Sequence, residues 1–313
     1  MKTMRLLFVR TYILQSIYMD VNNINLNHFG MEDYVAKNDR ILEEWRKSDE
    51  KRGKTNFAND GIMYKGEFYV DENSAVRRSR SNEDNTRWNE CPLRVLFLTK
   101  EENADEAWDV RTETFYEKGE GIPPINNTVS GSFFYQNEAC LLYGLRNTTP
   151  EKMMLYDEFS WEEALKFSDE KIFARINCKK EAGGSTISDI VLWNAIKENY
   201  KYLKDQILNL DADILVCCGN QNDNNIILNT VFDIYDNEFK YVDCVEGKGT
   251  GMHYNKKRNK LAIDAYHLSY FKGGLEARYN ETVGMYYEFL KYLKKSDMNI
   301  DFSANHRKEH MVT

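Results

Sequence analysis

Three segments of the chain place acidic, amide and imidazole side chains directly after short apolar runs. The run "LRVLFLT" (93–99) precedes "KEENADEAWDVR", the run "KIFARIN" (171–177) precedes "CKKEAGGS", and the run "KLAIDAY" (260–266) precedes "HLSYFKGG". A carboxylate can orient a water molecule and stabilise a cation, whereas an imidazole or an amide can donate a hydrogen bond to a developing anion. Together the three segments form a combination that is far more specific than any one of them alone.

The apolar runs have the length and composition of strands that are covered on both faces of a sheet. "ADILVCCG" (212–219) is of the same kind, and "FKYVDC" (239–244) is a weaker candidate. Between the runs lie helical patterns at 133–145, 160–167, 187–210 and 275–295. This alternation predicts a three-layer α/β/α sandwich with a mainly parallel central sheet of about four strands. Ligands bind beyond the carboxyl ends of strands in such sheets, so the three exits are expected to meet at one edge.

The chain divides by pattern into three parts: an N-terminal extension (1–90), an α/β domain (91–295) and a polar C-terminal tail (296–313). Within the extension we expect a disordered leader, a helix over 31–52, a small hairpin within 57–71 and a linker over 72–90. The apolar start is interrupted by Arg10 and Gln15 and is too short to span a membrane. A monomer without a membrane partner is expected.

Composition favours a cytoplasmic protein and makes a nucleic-acid partner depend on local charge. The six cysteines form no CxxC pair, which is typical of free thiols in a reducing compartment. The net charge is −8, although phosphate binding needs positive charge at the contact surface. Basic residues gather at 175–180 and 256–260, and both groups flank strand ends. We expect these two groups to carry any salt-dependent phosphate contacts.

The order of the strand-exit motifs over 91–295 resembles the uracil-DNA glycosylase superfamily. In that family one strand ends in a motif that positions the attacking water, a middle strand ends in an Asn that reads the base, and a late strand ends in His-Pro-Ser. Here "VLFLTKEEN", "RINCKKEAGGS" and "YHLSY" resemble these motifs. The resemblance implies that Asn177 reads the base and that His267 meets the leaving base, with Leu268 in place of Pro. The first motif lacks the family's Gly and Pro, so Glu101, Asn103 and Asp105 all remain candidates to hold the water, Glu101 first.

The implied reaction sets requirements for the rest of the site. Cleavage of an N-glycosidic bond passes through an oxocarbenium-like sugar while negative charge builds on the departing base. The base must first leave the stack and enter a pocket with an aromatic wall, for which we expect Phe133 and Phe134. DNA contacts are expected from residues that follow the middle and late strands: Lys179, Lys180, Gly183, Gly184, Ser185 and Ser269, with Tyr270 or Phe271 as a wedge into the vacated stack.

The resemblance thus implies a monofunctional DNA glycosylase that leaves an abasic site, in base-excision repair or in antiviral defence against phages. Its substrate would be uracil or a hypermodified cytosine such as glucosylated hydroxymethylcytosine. We expect no cofactor and no metal, because the cysteine pattern of iron–sulfur branches is missing and Cys178 stands at the wrong offset. Two alternatives remain: a catalytically inactive nucleic-acid-binding module, and a metal-dependent hydrolase built from Glu101, Asp105, Asp109 and His267.

Overall fold

The computed structural model describes residues 33–63, 67–70, 76–79, 83–103, 108–117, 126–184, 186–220, 224–242, 251–270 and 274–295. The predicted leader and C-terminal tail lie outside the described residues. So do three predicted site residues, Asp105, Ser185 and Phe271.

Within the described residues, seven strands form one mixed sheet, and two further strands form a separate hairpin. In chain order the strands are β1 (Gly61–Met63), β2 (Glu67–Val70), β3 (Val76–Ser79), β4 (Val95–Thr99), β5 (Phe173–Asn177), β6 (Ile214–Asn220), β7 (Lys240–Tyr241), β8 (Met252–Asn255) and β9 (Lys260–Tyr266). The sheet order is β1-β5-β4-β6-β9-β8-β7. Its four central strands, β5, β4, β6 and β9, are parallel, and the outer strands pair antiparallel.

The predicted α/β class is confirmed, and the apolar runs at 93–99, 171–177 and 212–219 form neighbouring parallel strands. β4 lies between β5 and β6, so that Leu96 is in register with Ala174 on one side and Leu215 on the other. The predicted four strands correspond to the parallel centre alone. The three additional strands are two to four residues long, which is too short to produce a recognisable apolar run.

Helices cover both faces of the sheet. They are α1 (Tyr34–Glu50), α2 (Glu83–Glu90), α3 (Val110–Glu113), α4 (Asn127–Ser130), α5 (Phe133–Asn147), α6 (Trp161–Glu170), α7 (Asp189–Glu198), α8 (Tyr200–Leu210), α9 (Ile226–Ile234) and α10 (Gly274–Lys295). Val95 and Phe97 of β4 pack into one core with α5, α6 and α10. Leu96 and Leu98 point to the opposite face and pack with α1, α8 and α9. Successive residues of one strand thus feed two cores, which explains the unbroken apolar run. None of these described helices has the length and apolar character needed to cross a bilayer.

The segment before Cys91 contributes to the same sheet and cores. α1 packs against α8, and β1 pairs antiparallel with β5, Ile62 being in register with Ala174. The hairpin expected within 57–71 does not form as predicted. Its first strand, β1, pairs with β5, and its second strand, β2, pairs with β3. The expected linker over 72–90 contains β3 and α2.

Candidate active site

A cleft of about 360 Å³ opens at the carboxyl ends of the parallel strands. Its walls come from the loops after β4, β5 and β9 and from the first turn of α5. Six residues predicted from the sequence line it: Glu101, Asn103, Phe134, Gly184, His267 and Ser269. The expectation that the three strand exits meet at one edge is therefore confirmed by the geometry.

His267 directly follows β9 and is held as a neutral hydrogen-bond donor. The backbone N–H of Ser269 donates to its Nδ1 at 3.2 Å, so the proton of the neutral ring belongs on Nε2. Burial, followed by the charge of Lys100, lowers the pKa of His267 to about 4. Leu268 lies in the core, and Asn137 donates its side-chain N–H to the Leu268 carbonyl. This apolar anchor fixes the loop that presents the imidazole to the cleft.

Two adjacent carboxylates face the cleft in different environments. The Glu101 carboxylate accepts a hydrogen bond from Lys179 Nζ at 2.6 Å. It also packs so closely on Gly183 that a Cβ there would lie 2.9 Å from its oxygens. Glu102 is buried, and burial raises the pKa of its carboxyl, although Arg175 and Asn177 act in the opposite direction. Neighbouring carboxyls that differ in this way suit different roles in acid–base chemistry.

Asn177 lies beneath the cleft and positions Glu102. Its side chain is fully buried at the end of β5. Its Oδ1 accepts from the Thr99 hydroxyl at 2.6 Å, and its Nδ2 donates to Glu102 Oε2 at 3.4 Å. These bonds use both ends of the amide, and Asn177 is not among the residues that line the cleft. The predicted role as base reader does not match this position.

The aromatic wall is formed by Phe134 together with Tyr135, which sequence reasoning missed. Behind both rings lies the Arg175 guanidinium, 5.3 Å from the centroid of Phe134 and 5.2 Å from that of Tyr135. Arg175 is fully buried, and its Nε donates to Glu138 at 2.7 Å. Phe133, the other predicted wall residue, is 53% exposed at the start of α5 and lies outside the cleft lining.

Two of the three charges in the predicted basic patch at 175–180, those of Arg175 and Lys180, are internal, so the patch does not form as predicted. Lys180 is buried, and its Nζ donates to Asp60 Oδ2 at 2.6 Å and lies 4.8 Å from the Trp45 ring centroid. Lys179 is bound by Glu101 and by the carbonyl of Glu181. A buried cation in an ion pair cannot contact a phosphate at the surface, so the predicted DNA contact of Lys180 is also wrong.

The second predicted basic group, at 256–260, lies at the opposite end of the strands from the cleft. Residues 256–259 form the turn between β8 and β9, which is the amino end of β9, whereas His267 follows its carboxyl end. The seven residues of β9 separate the two sites by roughly 20 Å at the usual rise per residue. Lys257 pairs with Glu238 and Lys260 pairs with Asp211. This turn does not contribute to the cleft.

Two further predicted DNA contacts are used within the protein. The backbone N–H of Gly183 donates to the Glu102 carbonyl at 2.9 Å. Tyr270 stacks on Tyr266 at a centroid distance of 5.1 Å, with the Arg278 guanidinium over both rings. Tyr270 therefore supports the loop after β9 in this conformation.

Lys100, Glu102 and Trp108 also line the cleft but were not singled out from the sequence. The first two are immediate neighbours of Glu101 in "KEEN", so the correct loop was identified. Consecutive residues of an irregular loop follow no fixed alternation of direction. Only the coordinates therefore show that three successive side chains reach the same cleft.

Two of the four ligands predicted for the metal-site alternative, Asp109 and Glu101, are engaged in other contacts. The Asp109 carboxylate caps α3 and binds Arg111, with 2.7 Å between Oδ1 and Nε, and Glu101 binds Lys179. Among the described residues, no group of three His, Cys, Asp or Glu side chains is arranged to hold a metal ion.

No family model matches the chain, and no curated protein is significantly similar to it. The interpretation of the cleft therefore depends on its own geometry.

Proposed function

We propose that the cleft binds a pyrimidine flipped out of DNA and that the protein hydrolyses its N-glycosidic bond, leaving an abasic site. The observation that carries this proposal is a neutral His267, fixed through Nδ1, in the same cleft as two carboxyls of different environment. A neutral imidazole donating through Nε2 can stabilise the anion that develops on a departing base without protonating it fully.

The remaining residues have roles that follow from their environments. Glu102 takes a proton from the attacking water, because its raised pKa makes it a stronger base than an ordinary carboxylate. Glu101, whose carboxylate is paired with Lys179, supplies negative charge to the sugar cation. Phe134 and Tyr135 provide the apolar wall for the base.

DNA as the substrate, in repair or in phage defence, is supported by the resemblance to the uracil-DNA glycosylase superfamily. The size of the cleft adds to this support. At about 30 Å³ per water molecule, 360 Å³ is the volume of about a dozen waters, which accommodates a pyrimidine ring with a substituent. Uracil and hypermodified cytosines, including glucosylated hydroxymethylcytosine, are therefore all suitable test substrates.

The purified full chain should be incubated with single-stranded DNAs that carry one of these bases, in the presence of EDTA. Release of a base and an alkali-sensitive abasic site are the expected products. DNA binding without base release from any of the DNAs would instead support an inactive binding module. Activity that is lost in EDTA and restored by a divalent ion would support the metal-dependent hydrolase.

Glu101→Gln and Glu102→Gln form a matched pair that tests the division of labour. If Glu102 is the base, its variant should lose roughly a hundredfold or more of the single-turnover rate. It should also lose the acid limb of the pH–rate profile that the titration of this carboxyl produces. Glu101→Gln should slow the reaction while keeping that limb. The opposite pattern would show that Glu101, rather than Glu102, takes the proton from the attacking water.

A further inference from the structure

Three lysines follow the ends of β4 and β5, and they differ in what holds the ammonium group. Lys179 Nζ lies 2.6 Å from a Glu101 oxygen, and Lys180 Nζ lies 2.6 Å from an Asp60 oxygen. Lys100 is only 4% exposed, yet its Nζ has no hydrogen-bond acceptor among the residues that the structure describes. The nearest carboxylate oxygen paired with it belongs to Asp189, at 3.5 Å. Among the described residues, Lys100 is the only lysine whose amine is buried without an acceptor.

A buried amine without a hydrogen-bond acceptor destabilises the fold, but it leaves a reactive group free to contact a ligand. More than nine in ten buried polar groups in native proteins have a hydrogen-bond partner, so an exception asks for a reason. A lysine amine whose nitrogen is not held by a hydrogen-bond acceptor can be directed at a ligand, and lysine amines form Schiff bases with carbonyl compounds.

Lys100 is also located where a carbonyl compound would form. It is the first residue after β4, and its carbonyl accepts the backbone N–H of Lys179 at 2.9 Å, which fixes its main chain. Lys100 is one of the residues that line the same cleft as His267 and Glu102, and it lies close enough to His267 to contribute to the lowered pKa of that imidazole. The abasic sugar left by the proposed reaction opens to an aldehyde in this cleft.

We propose that Lys100 is an amine nucleophile that forms a Schiff base with the abasic sugar and gives the protein an additional lyase activity. This inference rests on the proposed function, because it takes the product of that reaction as its substrate. The free amine of Lys100 adds to the aldehyde carbon, the carbon–nitrogen bond forms, and the carbonyl oxygen leaves as water. Glu102, the base proposed for this cleft, takes a proton from the sugar carbon next to the imine, the carbon–carbon double bond forms, and the bond between C3′ and the phosphate oxygen breaks with its electron pair leaving on that oxygen. Hydrolysis of the imine by water returns the amine.

The test uses DNA in which an abasic site is already present, so that it does not depend on base removal. The full chain is incubated with a single-stranded oligonucleotide carrying one such site, with and without sodium cyanoborohydride, which reduces an imine to a stable amine. We expect a covalent protein–DNA complex with the reductant and strand cleavage without alkali in its absence. Mass spectrometry of the digested complex should place the sugar adduct on Lys100.

Two variants provide the comparison. Lys100→Arg keeps the positive charge but lacks the amine, so the covalent complex and the alkali-independent cleavage should be abolished. Lys257→Arg, in the exposed turn at the amino end of β9, should trap DNA as the wild type does. A wild-type adduct on another lysine or on the N-terminus, or no adduct at all, would overturn the proposal even if Lys100→Arg failed to fold. Base release by the wild type without any trapping would support the glycosylase proposal and contradict the lyase proposal. Trapping without base release would support the lyase proposal and contradict the glycosylase proposal.

Discussion

The exit of β5 and the cleft walls formed after β4 and β9 contain similar side chains in opposite situations. At β5, Arg175 is held by Glu138 and Lys180 by Asp60, both pairs being fully internal. In the cleft, Lys100 has no hydrogen-bonded acceptor, and the imidazole of His267 keeps one nitrogen for a ligand. A buried charge with a partner stabilises the fold, whereas a buried polar group without one is a candidate for chemistry. For Arg175, Lys180 and Lys100, a closely bound partner, rather than residue type or distance from a strand end, separates the two situations.

Loss of a partner at the β5 exit should have the largest effect, and that effect is on stability. Lys180→Met leaves Asp60 buried without its cation, which costs about 3–5 kcal/mol in comparable buried pairs. Urea unfolding should show this loss in the free energy of unfolding. The control Lys201→Met removes an exposed i,i+4 pair with Asp205 and should change that free energy by less than about 0.5 kcal/mol. Equal losses in the two variants would contradict the distinction between the regions.

Removal of the imidazole should affect the reaction instead. His267→Ala should lower the single-turnover rate of base release by roughly a hundredfold or more, the usual result of losing one oxyanion-type donor. Binding of substrate DNA, measured by fluorescence anisotropy, should change little, because the donor acts mainly in the transition state. Full activity in this variant, with chemistry rate-limiting, would exclude the proposed mechanism.

The same histidine should make stability depend on pH in a defined window. Its pKa is about 4 in the folded protein and 6.5 in an unfolded chain, so between these values the unfolded state binds the extra proton. The stability contributed by the neutral ring is complete above pH 6.5 and decreases as the pH falls toward 4. Unfolding free energies should therefore fall more steeply across this window in the wild type than in His267→Gln. Parallel curves would show that His267 is not held in its neutral form.

The smallest effect is expected at the amino end of β9. Lys257→Glu removes a surface pair with Glu238, and such pairs contribute about 1 kcal/mol or less. DNA binding and base release should stay at wild-type levels across a range of salt concentrations, because the turn lies far from the cleft. A marked loss of DNA affinity in this variant would show that the turn contacts DNA, as first predicted from the sequence.

The sequence was sufficient to predict the parallel centre of the sheet, because unbroken apolar runs are typical of strands whose two faces are both packed against helices. It was also sufficient to predict which loops form the cleft, since parallel strands end at one edge. It could not reveal that Lys180 and Arg175 are internal, because their partners, Asp60 and Glu138, are distant in the chain. Nor could it show that Lys100 and Glu102 flank Glu101 in the same wall, since irregular loops have no periodicity. Pairing over long separations is a property of the folded chain alone.

The position of β1 at the sheet edge also has a consequence for the order of folding. Gly61 pairs with Arg175, so β1 is synthesised well before its neighbour, and their pairing closes a long loop. Loop closure of this length costs entropy before the new contacts form, so this edge is expected to be completed late. Until then β5 is itself an open edge, and the ammonium group of Lys180 lies beside it without Asp60. A lysine at an open edge discourages pairing with another chain, so we expect Lys180 to reduce aggregation during refolding before it joins Asp60 in the core.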